Sequence, residues 1–308
     1  MRDAFSETLV RLAKADPNVL LLTGDHGYAL FDAFRKECSA QYINAGIAEQ
    51  NMVGMAAGLA RAGFRPFVYG LSAFIPVRVL EQIKLDIAHD DLPVVLLGDG
   101  AGFVYSHLGT SHQSTEDIAC TRAVPGLSIY SPADRFEMTA CMELAYQQNA
   151  PVYMRMGKSD RGDVHASATT LIPGHLHAVR VGQPGGLTLV ATGSMVKTAV
   201  DIAANNYPDA SVWSAPIIKP LDAEQVTAIC LNSSAVVVLE EHSVLGGLGA
   251  AIAEISSEYA RIRVLRIGVQ DRYSQHCGSY DYLLHEHGLD RSAIELKIGK
   301  FLEHEFNR

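Results

Sequence analysis

The alternation of short apolar runs with helical patterns constrains this chain more than any other feature. "NVLLLTGD" (Asn18 to Asp25), "RPFVYG", "LPVVLLGDG", "LSIYSP" and "PVYMRM" are apolar stretches bounded by Gly, Pro or Asp. Between them, "PVRVLEQIKLDIAHD" and "FEMTACMELAYQQN" carry apolar residues at helical spacing. Continuous apolar runs mark strands buried on both faces, so the alternation predicts βαβ units around a mostly parallel sheet. The pattern lapses over residues 159–184, a small-residue and polar stretch that reads as a linker with one short hairpin. It restarts with "LTLVATGS", "SVWSAP", "AVVVLEEH" and "IRVLRIG". The expected fold class is α/β: a first domain over 1–158 and a smaller α/β domain over 185–308.

Composition narrows the partners. Apolar residues make up 48% and charged residues 19% of the 308, enough for a substantial core. A net charge of −9 argues against a nucleic-acid or anionic-membrane surface, both of which need concentrated Lys and Arg. The five cysteines, Cys38, Cys120, Cys141, Cys230 and Cys277, form no CxxC pair and read as reduced core thiols. No stretch reaches the roughly 18 apolar residues of a membrane span. "MRDAFSETLVRLAKADP" has a charged helical pattern with no apolar leader segment. A cytoplasmic protein is expected.

Four stretches are candidates for chemistry. In "NAGIAEQNMVGMAAGLA" the acid Glu49 heads a run of Gly, Ala, Met and Val; helices favour a carboxylate in the first turn, which is one explanation for it. "GDGAG" (Gly98 to Gly102) follows a strand but does not run into a helix, which excludes a dinucleotide fingerprint there. "GGLG" (Gly246 to Gly249) either offers backbone N–H groups to an anion or makes a tight helix–sheet turn. "HLGTSHQSTED" places His107 and His112 in a loop beyond a strand's carboxyl end, where α/β sheets put ligands. With no third metal ligand nearby, hydrogen bonding or acid–base work is the expected role of these histidines.

Taken in order, "GIAEQNMVGMAAGLA", "GFRPFVYGLSAF…EQI", "LGTSHQSTEDIACTRAVPGLSIYSPAD", "PVYMRM", "IIKPLD" and "LEEHSVLGGLGAAIAE" resemble the C-terminal half of transketolases and deoxyxylulose-phosphate synthases. The resemblance spans nearly the whole chain and implies a pyrimidine-binding domain followed by the family's C-terminal domain. It implies thiamine diphosphate as cofactor, with Glu49 hydrogen-bonding N1′ of its aminopyrimidine. A carboxyl group in an apolar pocket favours its neutral form and can share a proton there. By the same resemblance His112 handles substrate oxygens, Phe74 stacks on the pyrimidine, and Asp25 lies near the thiazolium. Arg155, Arg2 and Arg78 match arginines on the substrate side, where a guanidinium suits a phosphate.

Three departures qualify the resemblance. The family's diphosphate-binding domain is absent, so Mg²⁺ and its ligands are expected on a second polypeptide, in an assembly with two copies of each chain. The acid four residues before the family histidine is Leu108, and the family's phosphate-contacting histidine falls near Gly98. Both changes loosen the link to sugar phosphates. The leading expectation is one half of a split enzyme transferring a two-carbon ketol unit between sugars. The alternatives are the beta chain of a 2-oxoacid dehydrogenase first component, a hydroxyacyl-transferring enzyme of specialised metabolism, and a non-catalytic assembly subunit.

Overall fold

The computed structural model describes residues 1–27, 29–158 and 160–303. Its first part runs α1 (Arg2–Ala15), β1 (Val19–Thr23), α2 (Asp32–Glu37), β2 (Tyr42–Asn44), α3 (Glu49–Arg61) and β3 (Arg65–Leu71). It continues with α4 (Leu80–Gln82), β4 (Val95–Asp99), α5 (Asp117–Arg122), β5 (Ser128–Tyr130), α6 (Arg135–Gln147) and β6 (Val152–Met156). The second part runs β7 (His177–Arg180), β8 (Leu187–Ala191), α7 (Met195–Asn206), β9 (Ser211–Ser214), β10 (Ile217–Lys219) and α8 (Ala223–Leu231). It ends with β11 (Ala235–Ser243), α9 (Leu248–Ile255), β12 (Val264–Val269), α10 (Tyr280–Glu286) and α11 (Arg291–Glu303).

One sheet has the order β10-β5-β6-β4-β3-β1-β2, the other β12-β11-β8-β9-β7. All pairs are parallel except β10–β5 and β7–β9. Every residue of β1, β4, β6 and β8 is buried, as covered parallel strands require. Helix starts follow local chemistry: Asp134, Asp222 and Ser279 cap α6, α8 and α10 by accepting backbone N–H groups. No helix of the described residues is long and apolar enough to cross a membrane.

Two strands depart from the expected layout. β7 lies within the stretch read as a linker, yet it pairs with β9 instead of closing a hairpin of its own. β10, from the "IIKP" segment, joins the first sheet against β5, so the second unit lends a strand to the first. The cysteines are unpaired, but Cys277 is exposed, so the expectation of core thiols fails for it.

A buried polar seam joins the two units. Arg155 on β6 donates Nε to Asp117 Oδ2 at 2.8 Å and Nη2 to Oδ1 at 3.1 Å, with the two side chains 3% and 0% exposed. Burial alone would raise the Asp117 carboxyl, but Arg155, with help from His242, holds it below its ordinary value. On β11, Glu240 and His242 share one face, their carboxylate and imidazole 3.7 Å apart, and Glu241 takes the other. Glu240 accepts the N–H groups of Leu248 and Gly249 at the start of α9, at 2.8 and 2.9 Å. The "GGLG" turn therefore does present donors to an anion, and that anion is the chain's own carboxylate. Glu241 accepts from Phe103 N at 2.6 Å and from the Ser194 and Tyr280 hydroxyls. His242 accepts from Ala119 N at 3.2 Å and donates Nδ1–H to the Ser243 carbonyl.

The former linker is clamped as well. Asp134 Oδ2 accepts from Val164 N, His165 N and His165 Nδ1, each at 2.9 Å. His165 Nε2 lies 3.6 Å from Glu137 Oε1. Burial pushes the Glu137 carboxyl up to about 7.

Two outcomes are expected. Arg155→Ala leaves Asp117 buried without its partner and destabilises the fold by about 3–5 kcal/mol, read by denaturant unfolding; a change within error would overturn the structural role. A carboxyl raised in the folded state binds more protons there than when unfolded. Its stabilising effect is full below its unfolded pKa and is lost as pH rises through about 7. Glu137→Gln should thus flatten the fall in stability between pH 5 and 8 by on the order of 1–3 kcal/mol, and an unchanged slope would refute the assignment.

Candidate functional site

The carboxyl edge of the first sheet gathers most of the sequence's candidates. Glu49 is the first residue of α3, reached from the end of β2 through Ala45–Ala48. Phe74 and Arg78 follow the end of β3, and His112 lies in the loop after β4. In parallel α/β sheets this edge is where ligands bind, because the loops there converge.

Four of these side chains touch in series. Arg78 Nη1 donates to Glu49 Oε2 at 2.9 Å, with the carboxylate 9% and the guanidinium 45% exposed. The same guanidinium lies 4.0 Å from the centroid of the Phe74 ring. Phe74 meets His112 edge to face, with centroids 5.3 Å apart and planes at 64°. His112 Nδ1 is 3.0 Å from Ser111 Oγ. The surroundings of Glu49 are therefore not the apolar pocket expected: a cation shares them.

That cation bears on the fit of an aminopyrimidine. A planar guanidinium that donates to Glu49 while lying on Phe74 satisfies an acceptor and an aromatic face at once. Those are the two contacts an aminopyrimidine would make here, so the donor set fits such a ring once Arg78 turns away. Its half exposure gives it solvent to turn into. The Glu49 side of the pair is buried, so a ring that displaces Arg78 must itself donate to the carboxylate.

A second cluster sits at the ends of β3 and β4. Asp99 Oδ2 accepts from Tyr69 Oη at 2.7 Å and Tyr105 Oη at 2.8 Å, and Arg2 Nη2 lies 3.6 Å away. Burial, then the Asp99 charge, pushes the Tyr105 phenol well above its ordinary value. Arg2 is half-exposed and partly neutralised by Asp99. The "GDG" glycine Gly98 is there for packing: a Cβ on it would lie 2.7 Å from Tyr153 Oη and 3.0 Å from the Ile75 carbonyl. No imidazole could stand at that position without moving a strand.

The remaining candidates are placed differently. Asp25 is exposed in the loop after β1. Arg155 corrects the sequence reading: its fork is spent on Asp117 inside the core, so it is not presented to a substrate phosphate. Leu108 is 55% exposed on the His112 loop. Among the described residues, no group of three or more His, Cys, Asp or Glu side chains could hold a metal ion. Tyr69 and Tyr105 escaped the sequence reading because a lone Tyr in a strand or loop carries no local signal of what it faces; Asp99 lies in the "GDGAG" stretch, but its phenol partners were not legible there.

Similarity to known proteins bears on the fold and the family. Residues 1–162 match the transketolase pyrimidine-binding domain and residues 177–294 the transketolase C-terminal domain. The chain is 34% identical over 298 residues to an apulose-4-phosphate transketolase subunit of Phocaeicola vulgatus, covering 95% of this chain and 94% of that one. It is 35% identical to the 1-deoxy-D-xylulose-5-phosphate synthase of Chlorobium luteolum, covering 97% of this chain but only 48% of that enzyme. A solved structure described as a split gene transketolase, inactive beta4 tetramer, superposes with a TM-score of 0.89 at 32% identity, covering 97% of each chain. From its fold, its two domains in order and these relatives, the chain belongs to the transketolase family.

Proposed function

We propose that this chain is the pyrimidine-binding subunit of a two-chain, thiamine-diphosphate-dependent enzyme that moves a two-carbon ketol unit from a ketose donor to an aldehyde acceptor. The observation that carries the reading is the contact series Glu49–Arg78–Phe74–His112 at the carboxyl edge of the sheet. When bound, thiamine diphosphate supplies an electron sink for cleaving a carbon–carbon bond beside a carbonyl. Glu49 would hold the proton shared with N1′ of the aminopyrimidine, and Phe74 would offer the ring a face. His112 would orient and protonate the substrate's oxygens. Asp25, in the loop after β1, and Arg2, at the start of α1, would bound the substrate side. Arg78 leaves Glu49 and turns to the substrate.

A second polypeptide is part of the proposal. The apulose-4-phosphate transketolase relative, itself described as a subunit, matches over almost its full length, and the beta-only tetramer is described as inactive. Mg²⁺ and the diphosphate would be held by that partner. The exposed side of α3, with Asn51, Gly54, Met55 and Gly58, offers a close-approach surface for assembly. Leu108 on the site loop sustains a second reading: where relatives would hold a hydroxyl, this rim is apolar, which suits a 2-oxoacid donor.

Glu49→Ala, assayed after reconstitution with the partner, should lower turnover by about 10²–10⁴-fold while circular dichroism and thermal unfolding stay as in the parent. Unchanged turnover would leave the non-catalytic assembly role in its place. Parallel assays with xylulose 5-phosphate and with pyruvate as donor separate the two readings: turnover with the ketose phosphate supports ketol transfer, and turnover with pyruvate alone overturns it.

A further inference from the structure

The loop that carries His112 is held from the second unit. Gln113, the next residue, is 6% exposed. Its Oε1 accepts from Ser274 Oγ at 2.9 Å, and the same Oγ lies 2.9 Å from His287 Nε2. A hydroxyl has one hydrogen, and here it goes to Gln113, so His287 Nε2 must donate to Oγ. His287 is 4% exposed, and its ring stacks on Phe103 at 4.8 Å and 23°. Phe103 is itself fixed through its N–H on Glu241. On the other side of the loop, Gly109 adopts φ +77°, and a Cβ there would lie 3.0 Å from Cys277 Sγ.

The first unit holds the turn through the His112 N–H on the Gly109 carbonyl, the Phe74 ring contact and Ser114, which is bonded to Gly102 and Ser72. The short 3₁₀ turn Thr110–His112 has no side-chain cap, and the imidazole makes one hydrogen bond to its own neighbour, Ser111. A cavity of about 30 Å³ lies behind the turn, lined by Phe103, Thr110, Gln113, Ser274 and His287 among others. Gln113 Nε2 and His287 Nδ1, which belong to residues lining it, have no hydrogen-bond partner. The Gln113–Ser274–His287 line is thus the tie by which the second unit reaches the turn beside His112.

We infer that Ser274 and His287 are positioning residues: from the C-terminal domain they set the orientation of His112 through Gln113. This rests on the reading that His112 faces the substrate. A misplacement of about 1 Å at a reacting group can cost about 10²-fold in rate, so a hydrogen bond outside the site can matter to turnover without touching the substrate. In the α/β scaffold the second unit would then contribute to the chemistry as well as to assembly.

The test is a double-mutant cycle in the reconstituted two-chain enzyme. Ser274→Ala should lower kcat roughly 10-fold, leave KM and the cofactor dissociation constant as in the parent, and be rescued by Ser274→Thr. In a His112→Ala background, Ser274→Ala should add no further loss. Unchanged kcat in Ser274→Ala overturns the inference, as does an equal loss with and without His112, or a parallel weakening of cofactor binding. If His112→Ala alone keeps full turnover, the site assignment itself has failed and the inference falls with it.

Discussion

The guanidinium of Arg155 sits where both halves of the molecule meet. It is anchored on β6, forks onto Asp117 at the start of α5, and reaches the carbonyls of Ser114 and Glu241 at 3.5 and 3.4 Å. Ser114 ends the loop that holds His112, and Glu241 belongs to the second sheet. One buried cation therefore ties a core strand, the root of the site loop and the neighbouring unit together. Burying a charge is costly unless it is paired and hydrogen-bonded, and here each partner supplies part of that compensation. Losing any of them would leave the others exposed to the full cost of burial.

From that seam outward, the site is assembled from loops that belong to different strands. Glu49 rides the first turn of a helix, where the macrodipole favours a carboxylate; the helical explanation of this residue holds, and the proposed chemical one is compatible with it. Phe74 and His112 come from the next two strand ends, and the sheet's register brings them to one edge. The seam rigidifies the base of the site. The rim, with Leu108 and the half-exposed Arg78, is left open to solvent.

Much of the fold was legible because it rests on short-range physics. Buried parallel strands must be apolar throughout, so β1, β4 and β6 announced themselves, and so did the restart of the pattern after the polar stretch. Glu49, Phe74, Arg78 and His112 were legible as an ordered set of motifs. What failed was any inference about a side chain's partner. Arg155 looked like a phosphate ligand because nothing in "PVYMRM" shows that Asp117 waits across the core. "GGLG" read as either an anion site or a tight helix–sheet turn, because nothing in it shows that Glu240 takes up its N–H groups. Cys277 looked like core, but its loop lies at the surface.

The sequence by itself determined the α/β alternation, the break between two units and a set of candidate groups for chemistry, since these depend on periodicity and residue type. Only the tertiary structure decided that β10 crosses into the first sheet, that Arg78 lies between Glu49 and Phe74, and that Ser274 reaches Gln113 across 161 residues of chain. Such contacts are chosen by which surfaces meet when apolar faces are buried, and a local stretch of sequence carries no record of its distant neighbour.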